Sequence, residues 1–105
     1  MSKPWRLHEA ADAEALDAAR WYGQEREGLD DDFAYELRRA LTSLQGDPTA
    51  AGREPATSKR PTVRRRRVSR FPYVILFVER EDEFLIVAIA HLRRRPGYWR
   101  KRLEG

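Results

Sequence analysis

The sequence predicts a single α+β domain on three observations. Residues 12–25 and 30–44 carry apolar side chains at helical spacing, whereas residues 73–78 and 84–90 are unbroken apolar runs rich in β-branched and aromatic residues. The five polar residues 79–83 separate the two runs, which is the signature of an antiparallel hairpin. The helices thus fall in the first half of the chain and the strands mainly in the second.

Residues 5–7, or 5–8, follow Pro4 and are expected to form a short first strand. Asp12 is the expected N-cap of a first helix reaching Glu25, with Glu14 in its first turn, where negative charge complements the helix dipole. Its apolar face is read as Ala15, Leu16, Ala19 and Tyr22, with Trp21 alongside. Gly28 interrupts the pattern, and Asp30, Asp31 and Asp32 open a second helix. There Phe33, Leu37, Ala40, Leu41 and Leu44 form one stripe, and Gly46 is expected as the residue just past the helix end, before Asp47 and Pro48. A link of three or four residues makes the two helices an antiparallel hairpin. Acidic residues at a helix start are ordinarily dipole partners, and the three aspartates are read that way.

Residues 46–61 hold three prolines and almost no bulky apolar side chain, so they are expected as a long surface loop. Residues 62–70, TVRRRRVSR, are expected as a strand with Val63, Arg65, Arg67 and Ser69 on one face and Arg64, Arg66, Val68 and Arg70 on the other. Phe71 and Pro72 turn the corner into the hairpin. Strict alternation places Phe84, Ile86 and Ala88 on one face of the last strand and Leu85, Val87 and Ile89 on the other. Both faces of the hairpin are apolar, so both need cover. Helices can supply one side; the C-terminal segment, a second copy or a partner must supply the other.

Composition narrows the function classes. The chain has no cysteine, which excludes disulfides and thiolate metal sites and makes a reducing cytoplasm the simplest expected location. No apolar run approaches the ~20 residues of a membrane-spanning helix, and the N-terminus lacks the apolar core of a secretion signal. The net charge of +4 is uneven: residues 1–54 carry seven Lys/Arg against twelve Asp/Glu, a net of −5, and residues 55–105 carry fourteen against five, a net of +9. Charge this lopsided favours a polyanionic partner for the second half. The candidate contacts are Arg65, Arg67 and Arg70 together with Arg93, Arg94, Arg95, Arg100 and Arg102.

Catalytic motifs are missing: there is no glycine-rich phosphate loop, no paired-histidine metal spacing and no nucleophile motif, so no cofactor and no metal are expected. His91 ends an apolar strand, where a lone histidine is more often a hydrogen-bonded structural residue than a catalyst. If the chain did cleave RNA, His91 and Tyr98 would be its proton-transfer groups and Arg67 a phosphate clamp.

The succession of motifs resembles the RelE/ParE toxins of bacterial type II toxin–antitoxin systems. Trp21-Tyr22 stands near the end of the first helix, an arginine-rich strand runs into Arg70-Phe71-Pro72-Tyr73, and the last strand closes on Ala90-His91 with Arg93-Arg94, Pro96 and Tyr98-Trp99. The resemblance implies a helical hairpin packed on a mainly antiparallel sheet of three to four strands, with a short C-terminal helical segment. It also implies a cognate antitoxin, acidic and partly disordered when free, that forms a hetero-oligomer with the toxin. Tyr73, Ile75, Phe77, Leu85, Val87 and Trp99 are the antitoxin contacts expected on this basis, with Tyr98 and Trp99 as the intramolecular competitor. The tail is closer to the ParE branch, which poisons DNA gyrase, than to the RelE branch, which cleaves mRNA on the ribosome. Three functions follow in that order: gyrase inhibitor, ribosome-dependent endoribonuclease, and non-toxic nucleic-acid-binding accessory domain.

Overall fold

The structure is a computed structural model that describes residues 3–46, the backbone of 52–53, and residues 61–104. Strand β1 (Trp5–Leu7) leads into helices α1 (Glu9–Glu25) and α2 (Leu29–Gly46). Strands β2 (Gly52–Arg53), β3 (Arg64–Arg67), β4 (Tyr73–Glu79) and β5 (Phe84–His91) follow, and a 3₁₀ turn (Arg100–Leu103) ends the chain. The sheet order is β1-β5-β4-β3-β2, with β1 parallel to β5 and every other pairing antiparallel. The α+β class and the helical hairpin on the sheet are as the sequence predicts.

Helix α1 starts three residues before Asp12. His8 caps it: the Ala10 amide donates to His8 Nδ1 at 3.0 Å, and Asp12 becomes a first-turn residue. An imidazole stands outside the usual set of capping side chains, so the sequence pattern pointed to the aspartate. The face turned inward is also different, since Ala11, Ala18 and Tyr22 are buried while Leu16 and Trp21 are 56% and 55% exposed. Small alanines on the inner face bring the helix close to the sheet and rotate the larger side chains outward. Gly28, at φ +86°, supplies the left-handed residue of the three-residue link. Helix α2 runs through Gly46, which is therefore its last residue and not the one after it. Asp47 and Pro48 lie outside the described residues, as does most of the expected loop 46–61, within which Gly52–Arg53 pairs with Arg64 and Arg65.

Strand β3 is shorter than the 62–70 reading because the chain turns sharply after Arg67. Arg70 sits at φ +72°, the Val68 amide donates to the Tyr73 carbonyl at 2.9 Å, and the Tyr73 amide donates to the Phe71 carbonyl at 2.8 Å. A non-glycine residue in the left-handed region costs roughly 1–2 kcal/mol. Two interactions offset that cost. Arg70 reaches Asp32 and Glu36 on α2 at 3.7 Å each, and the next residue, Phe71, packs edge-on to Tyr22 and Phe33 at 4.8 and 5.2 Å between ring centroids. Tyr73 joins the same aromatic cluster against Phe33 at 5.2 Å. The Arg-Phe-Pro-Tyr motif is the pin between the sheet and the helical hairpin.

The hairpin contains a β-bulge that overturns simple alternation. Leu76 pairs with Ala88 but Phe77 with Ile86, leaving Val87 without an opposite residue. Phe84, Ile86 and Ile89 consequently face the helices, whereas Leu85, Val87, Ala88 and Ala90 face the other side; the expected places of Ala88 and Ile89 are exchanged. Cover for that second face comes from the chain itself. Trp99, 3% exposed, lies in the second core with Tyr98 and Leu103 packed around it.

Candidate functional site

Past Leu7, strand β1 no longer flanks β5, and the backbone of the bulged strand finds side-chain partners instead. The Ile89 amide donates to Glu14 Oε1 at 3.0 Å, and the Val87 carbonyl accepts from Arg102 Nη1 at 3.0 Å. Arg102 also donates to both Glu14 oxygens, at 2.8 and 3.1 Å, and the Tyr98 hydroxyl donates to Glu14 Oε2 at 2.6 Å. One carboxylate on α1 thus ties together the last strand and the C-terminal tail. Burial, then the hydrogen bond to Glu14 and its charge, push the Tyr98 phenol well above its ordinary pKa. Gly97, at φ +80°, lets the tail fold back; a Cβ there would lie 2.9 Å from Arg100 Nε.

His91 sits where strand and tail meet. The Arg93 amide donates to its Nδ1 at 3.0 Å, and its ring lies edge-on to Tyr73 at 5.1 Å. That hydrogen bond uses Nδ1 as an acceptor and so fixes the orientation of the ring. Of the two proton-transfer candidates, His91 accepts from a backbone amide and Tyr98 donates to Glu14. His91, Arg94 and Tyr98 stand between two open clefts. One, of about 280 Å³, reaches to Trp21 and Tyr73; the other, of about 130 Å³, reaches to Arg65, Pro96 and Trp99. The first opens on the helix side of the sheet and the second on the opposite face, beside Val74, Leu76 and Trp99.

The arginines divide into two groups. Arg70 is held by Asp32 and Glu36, and Arg102 by Glu14, which shifts its pKa up through the hydrogen bond. Arg100 lies 6.0 Å from the Trp99 ring. By contrast, Arg64 to Arg67, Arg93, Arg94 and Arg95 make no side-chain hydrogen bond or ion pair among the described residues, although Arg94 stacks on the Tyr98 ring at 3.9 Å. The structure brings Arg65 and Arg94, from opposite ends of the cationic half, to one cleft. Arg67 turns to another, beside Glu36, Arg39 and Arg66. Of the residues expected to meet an antitoxin, Tyr73 alone is partly exposed. Ile75 and Phe77 lie under the helices, Leu85 and Val87 lie beneath the tail, and Trp99 is the tail's own buried ring. Sequence reasoning missed the role of Glu14, because its partners lie 75 to 88 residues away.

No helix among the described residues is long and apolar enough to cross a membrane, and these residues hold no cluster of metal-ligating side chains. No curated protein matches the sequence. Among solved structures, the chain is similar to one titled "Chromosomal ParDE TA system from P. aeruginosa", with a TM-score of 0.68 and 18% identity over 86% of this chain and 96% of that one. That likeness concerns the fold. The sequence itself matches, over residues 5–96, the family model described as ParE toxin of type II toxin-antitoxin system, parDE. Since the match spans most of the chain, from the first strand through Trp21-Tyr22, Arg70 to Tyr73 and Arg93 to Pro96, this protein belongs to the ParE toxin family.

Proposed function

We propose that this ParE-family toxin acts as an inhibitor of DNA gyrase that performs no chemical step of its own and is neutralised by a cognate antitoxin. One observation carries the reading: the Tyr98 hydroxyl is committed to Glu14 at 2.6 Å, in a clasp that also holds Arg102 and the Ile89 amide. A phenol used as a structural donor to a carboxylate is unsuited to shuttling protons. What remains available are arginines, the exposed Arg94 and Arg95 and the partly exposed Arg65 among them, that make no side-chain ion pair among the described residues and suit an anionic surface such as an enzyme–DNA complex.

The antitoxin in this reading is acidic and folds on binding. To reach Leu85, Val87 and Trp99 it must displace the tail, while Ile75 and Phe77 stay closed to it. Apolar surface for its anchors is offered by the cleft of about 250 Å³ between β1 and the helices, where Leu16 is exposed and Trp5 and Leu7 are half-buried over the buried Leu37 and Leu41.

A second reading, ribosome-dependent RNA cleavage, draws on the convergence of Arg65, His91 and Arg94 in one cleft. Inducing wild type, His91→Gln and Tyr98→Phe in a bacterial host, with stabilised gyrase–DNA cleavage complexes and mRNA cleavage both measured, decides between the two. The gyrase reading expects cleavage complexes with wild type and little loss in either conservative variant, but a clear loss for Trp99→Ala, which removes a large buried ring. Site-specific mRNA cleavage that drops on the order of 10²-fold in both conservative variants, with no gyrase–DNA complex, would replace it with the nuclease reading. Unimpaired growth on induction of wild type would leave the accessory-domain reading.

A further inference from the structure

Glu36 is the one buried charged residue among the described residues, 5% exposed, and its Oε1 meets no hydrogen-bond donor there. Arg70 stands 3.7 Å from the other oxygen, Oε2, while Oε1 faces Arg39, whose Nη1 lies at 3.5 Å without making a hydrogen bond. Buried polar atoms are nearly always paired, so an open acceptor beside a cleft points to a donor received there. The cleft is present: about 120 Å³, lined by Glu36, Arg39 and Ser43 of α2 and by Arg66, Arg67 and Ser69 at the end of β3 and in the turn after it.

Around that single acceptor the cleft is cationic. Arg66 lies opposite Ile75, which faces the helices, so Arg66 projects toward α2 as well; its side chain makes no hydrogen bond or ion pair among the described residues. Asp32, the other carboxylate that Arg70 meets, is engaged by it at 3.7 Å. Ser43 gives its hydroxyl proton to the Ala40 carbonyl at 2.9 Å, so toward the cleft its oxygen can only accept. A ligand suited to these groups brings negative charge for the arginines and a hydrogen-bond donor for Glu36. A cation fails against Arg39, Arg66 and Arg70, and sulfate carries charge without a donor. A nucleoside is too large, since the cleft is far below the ~300 Å³ at which pockets for drug-sized ligands begin.

We propose that this cleft binds hydrogen phosphate, its bare oxygens held by Arg39 and Arg66 and its P–OH donated to Glu36 Oε1. The Arg39 side chain is 67% exposed and can turn from its long contact with Glu36 to the anion, which opens the carboxylate oxygen to the P–OH. Bound there, the anion ties helix α2 to strand β3 and offsets the repulsion between their arginines. The assignment uses none of the residues of the Glu14 clasp and stands independently of gyrase as the target; loss of the gyrase reading in its own assay leaves it intact.

The test is isothermal titration calorimetry of the full chain at about pH 7.5 and constant ionic strength, with sodium phosphate, sodium sulfate and a nucleoside 5′-monophosphate. All three anions carry close to two negative charges at this pH, but only inorganic phosphate retains a P–OH, because a phosphate monoester loses its last proton near pH ~6. Wild type should bind phosphate about tenfold or more tighter than either of the others. Glu36→Gln, whose amide can donate to a bare oxyanion, should lose that preference, and Arg66→Ala should weaken binding of all three. If Glu36→Gln does not fold, the wild-type ranking together with Arg66→Ala decides. No saturable phosphate binding, equal affinity for phosphate and sulfate, a monophosphate bound as tightly as phosphate, an unchanged preference in folded Glu36→Gln, or unchanged phosphate affinity in Arg66→Ala would each overturn the proposal.

Discussion

The Tyr98 hydroxyl donates to Glu14 Oε2 at 2.6 Å across a sequence separation of 84 residues, and this contact holds the end of the chain against its first helix. Glu14 accepts from three sources, the Tyr98 hydroxyl, the Arg102 guanidinium and the Ile89 amide, and its side chain is only 17% exposed. Glu14→Ala should therefore cost about 2–4 kcal/mol, because it leaves a cation and two donors without their acceptor. Tyr98→Phe, which removes one donor and keeps the ring, should cost about 1–2 kcal/mol. Urea unfolding of the two single variants and the double variant measures both values. The losses should be less than additive, since each removes the same contact.

The same clasp predicts the alkaline limit of stability. Burial first, and then Glu14, raise the Tyr98 pKa in the folded state; burial raises those of Tyr22 and Tyr73 as well. Above the ordinary tyrosine pKa of ~10 the unfolded chain loses these protons while the folded chain retains them. This contribution is fully present below about pH 10 and declines as pH rises further. Unfolding free energy measured between pH 8 and pH 11.5 should fall over the upper part of that range, and Tyr98→Phe should show a shallower fall. Equal slopes for wild type and variant would separate Tyr98 from the effect.

Arg70 combines a strained backbone with two ion pairs, and substitution separates the two. Arg70→Ala keeps the left-handed φ of +72° and deprives Glu36, 5% exposed, of one of its cations. A loss of about 1–3 kcal/mol is expected. Arg70→Gly loses the same ion pairs but relieves the backbone, and should be more stable than the alanine variant by about 1 kcal/mol. Thermal melts of the two variants side by side check the order.

Local pattern carried most of the fold into the sequence. The helical stripe of Phe33, Leu37, Ala40, Leu41 and Leu44 is buried as read, and the two apolar runs form paired strands. What was not legible depended on contacts between distant residues. The bulge at Val87 needs two strands for its definition, and it inverted the faces of Ala88 and Ile89. Capping by His8 is a geometric fact that residue type did not signal. For the candidate site, the sequence identified the cationic clusters but not their division, since the carboxylates that consume Arg70 and Arg102 lie on the helices of the acidic half.

That division makes the final prediction specific. Arg93, Arg94 and Arg95 hold no ion pair among the described residues, so replacing all three with alanine removes target-directed charge without breaking a contact between elements beyond the Arg94 stack on Tyr98. The triple variant should keep a melting temperature within a few degrees of wild type, because exposed charges of this kind contribute little to stability. Growth inhibition on induction should be abolished, and binding to an anionic partner should show a shallower dependence on salt, reduced by about 0.9 in log–log slope for each duplex-DNA phosphate contact removed. Arg102→Ala gives the opposite profile: it breaks the Glu14 clasp, so its melting temperature should fall, while the salt slope should stay near that of wild type. A triple variant that still arrests growth as wild type does would exclude the tail arginines as effectors and leave Arg64 to Arg67, which make no side-chain ion pair among the described residues, as the remaining cluster.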